Sequence, residues 1–318
     1  MIKMNSDRRA ICTGVDFQAS AASHAGALRR NNQDRYFVGR LQRSSDTIIE
    51  GDAVDLQQDE QESSEKPEFN YSGGTGAILI VADGVGGNVA GDVAAELAIA
   101  SFVEFLGSKI DEAYTDAKQV MYWENLLQRA IQHCQSRVLE YQHAFPNCDG
   151  MGTTFTACIL VGSRAYIVHA GDSRAYLSRG RNLIQLTVDQ TFTQKLVEEG
   201  GMTLRQALKS PLSHCIWSSL GGKEPSLEPQ VFCLDIQEYD KILLCSDGLT
   251  NELGRGDLRR LLGGDKHVVQ RCKEMIEQAL GNGGRDNITV VVGEFRSIDN
   301  ESTVVQEYPA SLHNLSRF

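Results

Sequence analysis

From Thr75 onward, short apolar runs alternate with longer stretches of helical periodicity. Ala77-Ile78-Leu79-Ile80-Val81-Ala82 is short, apolar and rich in β-branched residues, which predicts a strand buried on both faces. The stretch 90–106 repeats apolar residues at helical spacing (Val93, Leu97, Phe102, Phe105, Leu106), and 123–141 does the same, so two long helices follow that strand. Strands are predicted at 154–161 and 164–170 around Gly162-Ser163, and at 174–178 and 182–186 around Arg179-Gly180-Arg181, both with hairpin-type connections. Residues 190–222 are mixed, with a helical stretch from Phe192 to Glu199 and a loop-rich part around Pro211. Strands resume at 230–234 and 241–245. A helix over 266–280 ends at Gly281 with Gly283 and Gly284 beyond it, and 287–295 closes the pattern as a buried strand. Antiparallel strand pairs between two separate helical groups predict a single layered α+β domain, not a βαβ repeat.

Composition changes this picture in one place. The formal net charge is -11, from 31 Lys+Arg against 42 Asp+Glu. Residues 46–68 hold nine of the acids and one base, Lys66, so the remainder is close to balanced. Low hydrophobicity and like charge predict that 46–72 is a flexible acidic insertion, with Ser72-Gly73-Gly74 as its exit hinge. Residues 1–19 read as an N-terminal extension and 296–318 as a tail around a domain at 20–295. The acidity and the lack of a basic stripe exclude a general nucleic-acid binder and disfavour a nuclease. No apolar run approaches the roughly 18–20 residues of a membrane span. The N-terminus has no apolar core of a signal peptide, and the eight cysteines are scattered singly. These features predict a cytoplasmic protein of reduced thiols, with monomer as the default.

The candidate chemistry lies at strand ends. Asp83-Gly84, Asp172-Ser173, Asp247-Gly248 and Asp286-Asn287 each follow or precede an apolar run. A carboxylate at such a position is partly desolvated, which is costly unless it is paired or metal-bound. If the four ends converge, their oxygens make a hard-ligand cluster suited to Mg or Mn, to which a Gly carbonyl can add a ligand. The segment from Asp83 to Gly91 is glycine-rich between a strand and a helix, yet it lacks both the Gly-Lys-Ser/Thr ending and the Gly-x-Gly-x-x-Gly spacing of nucleotide-binding loops. His169 and His214 are available as acids or bases, or as structural residues.

Seven motifs in order now carry a resemblance: Arg29-Arg30-Asn31-Asn32-Gln33-Asp34, Val81-Ala82-Asp83-Gly84-Val85-Gly86-Gly87, Gly150-Met151-Gly152-Thr153-Thr154, His169-Ala170-Gly171-Asp172-Ser173-Arg174, Leu186-Thr187-Val188-Asp189-Gln190, Cys245-Ser246-Asp247-Gly248-Leu249 and Gly284-Arg285-Asp286-Asn287-Ile288-Thr289. Over 20–295 the chain resembles the type 2C metal-dependent serine/threonine protein phosphatases of the bacterial kind. The resemblance implies two stacked antiparallel sheets flanked by helical layers, an αββα sandwich with the metals at one edge, and a flap at 190–222. It also implies that Asp83 bridges two Mn or Mg ions, that the Gly84 carbonyl ligates one, and that Asp247 and Asp286 hold the other. Arg29 would clamp the phosphate, Asp34 would fix metal-bound water, and Asp172 would serve a third, weaker ion. The implied reaction is hydrolysis of phosphoserine and phosphothreonine by a metal-bridging hydroxide. Substrates would be phosphoproteins, opposing a cognate serine/threonine kinase; the alternative is a phosphoprotein-binding pseudophosphatase. Four positions depart from the family pattern: Gln33 where many members have Glu, Val85 where eukaryotic members have His, Gln190 in place of His, and Asn251 where Asp is frequent.

Overall fold

A computed structural model describes residues 15–41, 51–52, 68–74, 76–85, 90–113, 119–207, 209–223 and 226–298. In chain order the elements are β1 (Val15–His24), β2 (Asp34–Leu41), β3 (Gly51–Asp52), β4 (Glu68–Gly74), β5 (Gly76–Val85), α1 (Gly91–Ala113), α2 (Gln119–Ala144), β6 (Gly152–Thr153), β7 (Phe155–Val161), β8 (Arg164–Ala170), β9 (Arg174–Arg179) and β10 (Asn182–Gln185). They continue with α3 (Phe192–Glu198), α4 (Leu204–Ala207), β11 (Leu220–Gly221), β12 (Gln230–Asp235), β13 (Lys241–Cys245), α5 (Asp247–Thr250), α6 (Arg255–Leu262), α7 (Val268–Gly281) and β14 (Ile288–Ile298).

All strand pairings are antiparallel and form two sheets. One runs β10-β9-β13-β14-β1-β4; the other is built on β5-β7-β8-β12, with β2 and β3 beyond β5 and the short β6 and β11 at its end. The sheets stack on a shared core of Phe17, Val38, Leu79, Val81, Ile167, Leu177, Leu244 and Phe295. On the outer face of the second sheet, Ile78, Ile80, Phe155 and Val168 pack against Ala98, Phe102, Trp123 and Ile131 of α1 and α2. On the outer face of the first, Leu243, Val290 and Val292 pack against Leu258, Leu261, Met275 and Ile276 of α6 and α7. Each central strand is therefore covered on both faces, which is why it reads as an unbroken apolar run.

The periodic elements match the sequence reading to within a few residues, and α1 runs past the predicted end to Ala113. The described elements reach past three predicted limits. β1 already runs from Val15, within the predicted extension, as a full strand between β14 and β4, with Phe17, Ala19 and Ala21 against the opposing sheet. The predicted hinge Ser72-Gly73-Gly74 lies in β4, which pairs with β1, and Gly51–Asp52 pairs with Val38–Gly39. Backbone pairing satisfies such residues without an apolar segment. Residues 46–50 and 53–67 of the acidic insertion, 86–89 of the glycine-rich segment, 1–14 of the predicted extension and 299–318 of the predicted tail lie outside the described residues. At the other end, β14 extends to Ile298, past the predicted start of the tail.

Arg271 joins the outer helices. Its buried side chain donates from Nη1 to the carbonyls of Leu261, Leu262 and Gly263, and from Nη2 to that of Gly264, at 2.6–3.0 Å. These are carbonyls at the C-terminus of α6 that no helical N–H reaches. Arg271→Met is expected to lower stability by about 3 kcal/mol, because the carbonyls stay buried without donors. The urea midpoint should fall, while activity per folded molecule is unchanged.

Candidate metal centre

Five aspartates converge at one edge of the sandwich. In the β2–β5 register Asp34 and Asp83 stand directly opposite each other, a pairing of like charges that a sheet does not favour by itself. The end of β5 is held from the neighbouring strand. Asp83 N donates to Thr154 Oγ1 at 2.9 Å, and the Asp83 carbonyl accepts from Thr154 N at 2.9 Å and Thr153 Oγ1 at 3.0 Å. Gly84 follows where no side chain fits: a Cβ would lie 2.4 Å from the Gly91 carbonyl carbon and 2.8 Å from the Gln33 carbonyl oxygen.

Asp34 is 2% exposed, with Oδ2 accepting from Ser246 Oγ at 2.8 Å and Oδ1 buried without a partner. Burial pushes its carboxyl from the ordinary 3.8 up to about 6. Burial, and then repulsion from Asp34, Asp247, Asp172 and Asp286, pushes Asp83 well above the usual carboxylate range. Asp172, two residues beyond β8, is also raised well above it by burial and by Asp247. Asp247 opens α5 and takes hydrogen bonds on its own turn: Oδ2 accepts from Asn251 Nδ2 at 3.1 Å.

His214, on the segment predicted as a flap, brings Nδ1 to 3.5 Å from the same Asp247 oxygen. Its link to Asp247 raises its pKa. One ligand atom each from Asp172, His214 and Asp247 lie within 4.8 Å of one another. His169 has a different part: it is buried, with Nδ1 at 2.9 Å from Thr156 Oγ1 and Nε2 at 3.2 Å from the Val188 carbonyl. Burial lowers its pKa to about 4, so it is neutral and structural.

Asp286 lies in the turn between α7 and β14. Its Oδ2 accepts from Arg29 Nη2 at 2.7 Å and its Oδ1 from Asn287 N at 2.9 Å. Arg29 stays more than half exposed. The loop that carries it is tied down by Asn287: Oδ1 accepts from Gln33 N at 2.8 Å, and Nδ2 donates to the carbonyls of Ala25 (2.8 Å) and Asn31 (2.9 Å). The Asp286 loop is gripped in turn by Glu252, which accepts from both N and Nε of Arg285.

Thus the structure brings together Arg29, Asp34, Asp83, Gly84, Asp172, Asp247 and Asp286, every site residue marked in the sequence. Ser246, Asn287 and Thr154 were inside the quoted motifs but had no assigned part, while Glu252 had no signal beyond its place after Asp247. The donor set fits a divalent hard cation. Five buried or half-buried carboxylates face each other with Arg29 and His214 at the rim, and the unpartnered Asp34 Oδ1 is an acceptor waiting for a donor.

Comparison with known proteins agrees with this geometry. The family model described as Protein phosphatase 2C matches residues 66–283. The serine/threonine phosphatase stp of Listeria monocytogenes is 35% identical over 217 residues, 68% of this chain and 84% of that protein. The crystal structure of the Mycobacterium tuberculosis serine/threonine phosphatase PstP/Ppp superposes with a TM-score of 0.68 at 31% identity, covering 89% of this chain and all of that one. A structure of the catalytic domain of PstP in complex with two manganese ions superposes with a TM-score of 0.65 at 29% identity, over 89% of this chain and 100% of that one. The family model covers more than half of the sequence and the relative is 35% identical over two thirds of it, so the chain belongs to the protein phosphatase 2C family.

Proposed function

We propose that the acidic centre holds two Mn or Mg ions and that Arg29 and Asp34 work beside them in hydrolysing phosphoserine and phosphothreonine. The chain is a metal-dependent serine/threonine protein phosphatase of bacterial type, and phosphoproteins are its substrates. In this reading Asp83 would hold both ions, the Gly84 carbonyl would add a ligand to one, Asp247 and Asp286 would hold the other, and Asp172 would serve a third, weaker one. When bound, the two cations supply the positive charge that offsets the phosphomonoester dianion and lowers the pKa of water at the site.

The protein's own groups do the rest. The Arg29 fork is permanently charged and suited to two phosphoryl oxygens at once. Asp286 holds that fork at the edge of the acidic centre until substrate offers a second anion. Asp34 Oδ1 is positioned to accept a proton from the attacking water, because Ser246 occupies only Oδ2. The buried acidic centre carries the reading, and it favours turnover over a pseudophosphatase, since Arg29, Asp83, Asp247 and Asp286 are all in place. The described cysteines form no disulfide, and no described helix is long and apolar enough to cross a membrane. In the same reading the enzyme works in the cytoplasm and opposes a serine/threonine kinase.

The purified chain should hydrolyse p-nitrophenyl phosphate and a phosphothreonine peptide with Mn, lose both activities on chelation with EDTA, and regain them on adding Mn back. Turnover that persists after chelation overturns the reading.

A further inference from the structure

Gln190, where the family more often has His, sits at a junction between the acidic centre and the 191–216 segment. It is almost fully buried, and all four of its polar groups are used. Its backbone N donates to the Gly171 carbonyl at 2.7 Å, and Gly171 N donates back to its Oε1 at 3.0 Å. Its Nε2 donates to the Glu228 carbonyl at 2.8 Å, just ahead of β12. Its carbonyl accepts from Trp217 N at 2.9 Å. That last bond begins a short ladder, continued by the Thr191–Ile216 bridge and by Phe192 N to the Cys215 carbonyl, which closes the base of the segment carrying His214.

On its other side the turn Gly171-Asp172-Ser173 has no freedom. Gly171 has a φ of +109°, and a Cβ there would lie 2.6 Å from Thr154 Cγ2. Thr154 is itself bonded to Ser173 Oγ at 2.7 Å and to the backbone of Asp83. The turn that presents Asp172 is wedged between the strand that presents Asp83 and the single side chain of Gln190. Gln190 therefore gives the base of the segment a hydrogen-bonded route to the Asp172 turn, beside the direct approach of His214 to Asp172 and Asp247.

We infer that Gln190 is a positioning residue that couples the base of the 191–216 segment to Asp172, so that cation occupancy at Asp172 and engagement of a phosphopeptide depend on it together. Its action is through hydrogen bonds alone: it touches neither substrate nor ion. The inference rests on the phosphatase reading, and its test separates the two.

The test uses the full chain, with Gln190→Leu to remove the side-chain bonds at similar volume and Gln190→His to restore one acceptor and one donor. In Gln190→Leu the Mn concentration for half-maximal activity and the KM for a phosphothreonine peptide should each rise about tenfold. The kcat on p-nitrophenyl phosphate at saturating Mn should change by less than about twofold. Gln190→His should return both shifted constants to within about threefold of the parent. A readout independent of turnover comes from Trp217, one of two tryptophans in the chain, the other being the core residue Trp123. Paramagnetic quenching of Trp217 by Mn, taken as the difference between the parent and Trp217→Phe, should be strong in the parent and weakened in Gln190→Leu. Unchanged Mn dependence, KM and quenching in Gln190→Leu overturn the inference. So does a uniform loss that tracks the folded fraction and is not rescued by His. A parent with no Mn-dependent turnover sinks the phosphatase reading instead, while the quenching comparison still decides the coupling.

Discussion

Asp83→Asn is expected to abolish turnover and at the same time make the metal-free protein more stable. The loss should be about 10³-fold or more in kcat, since in the proposed reading this carboxylate would hold both ions, whose charge stabilisation of the transition state amounts to several kcal/mol. The gain in stability comes from the same carboxylate. Asp83 is buried beside Asp34, Asp172, Asp247 and Asp286, so its charged form is penalised first by desolvation and then by repulsion. Asn has the same shape, no charge to desolvate, and an amide that can donate to the neighbouring acids. Metal-free Asp83→Asn should therefore melt about 2 °C or more above the metal-free parent at pH 7.5, measured by differential scanning calorimetry in EDTA. Added Mn should reverse the order, raising the parent by about 2.7 kcal/mol at a hundredfold excess over its dissociation constant and the variant by much less.

The pH dependence has the same origin. Asp34, Asp83 and Asp172 are all raised in the folded state, Asp34 to about 6 from 3.8. Between those values the folded metal-free chain binds more protons than the unfolded one, so its stability rises as pH falls from above 6 toward 4. A variant that loses activity together with stability, or a metal-free parent that is most stable at alkaline pH, would mean that these acids are placed for some other purpose than holding cations.

The parts of the fold that were legible in the chain are those whose strands are covered on both faces. Ile78–Val81 and Val290–Val292 have helices on one side and the opposing sheet on the other, and their apolar runs announce it. β1 has the same double cover but fills it mainly with Ala and Ser, and the space on its inner face is already taken: a Cβ on Gly293, the partner of Ala19, would lie 2.5 Å from the ring of Phe17 in β1 itself and 3.1 Å from Leu79 Cδ1 of the opposing sheet. Small residues carry little hydropathy signal, so the sequence alone puts the first half of the strand, residues 15–19, in the extension. Similarly, the acidic character of 46–68 hid the Phe69-Asn70-Tyr71 alternation at its end, since a charge density taken over a long window outweighs a short strand.

At the site, the ligand aspartates were readable from their repeated position at strand ends, yet their supports were not. Ser246, Asn287 and Glu252 act by accepting and donating to backbone groups from distant parts of the chain. No spacing rule links Asn287 to Ala25, because only the β1–β14 pairing brings those segments together. His214 was visible only as an isolated histidine; its meaning depends on the return of the 191–216 segment to Asp247.

Asn287→Ala is the sharpest test of that support. Three bonds to the Arg29 loop are lost at once, leaving Gln33 N–H and the carbonyls of Ala25 and Asn31 without their partner. Arg29 itself keeps its contact to Asp286, so the guanidinium is still present but on a loop free to drift. A displacement of about 1 Å in a substrate-orienting group costs on the order of 10²-fold in rate. We therefore expect kcat/KM for a phosphothreonine peptide to fall about 10²-fold, with most of the loss shared by Arg29→Ala. In the double variant the two losses should fall well short of multiplying, since Asn287 has nothing left to position once the guanidinium is gone. Fully multiplicative losses would show that Asn287 acts on the ions through Asp286 and not on the phosphate through Arg29, and the Mn half-saturation of Asn287→Ala would then rise while that of Arg29→Ala stays at the parent value.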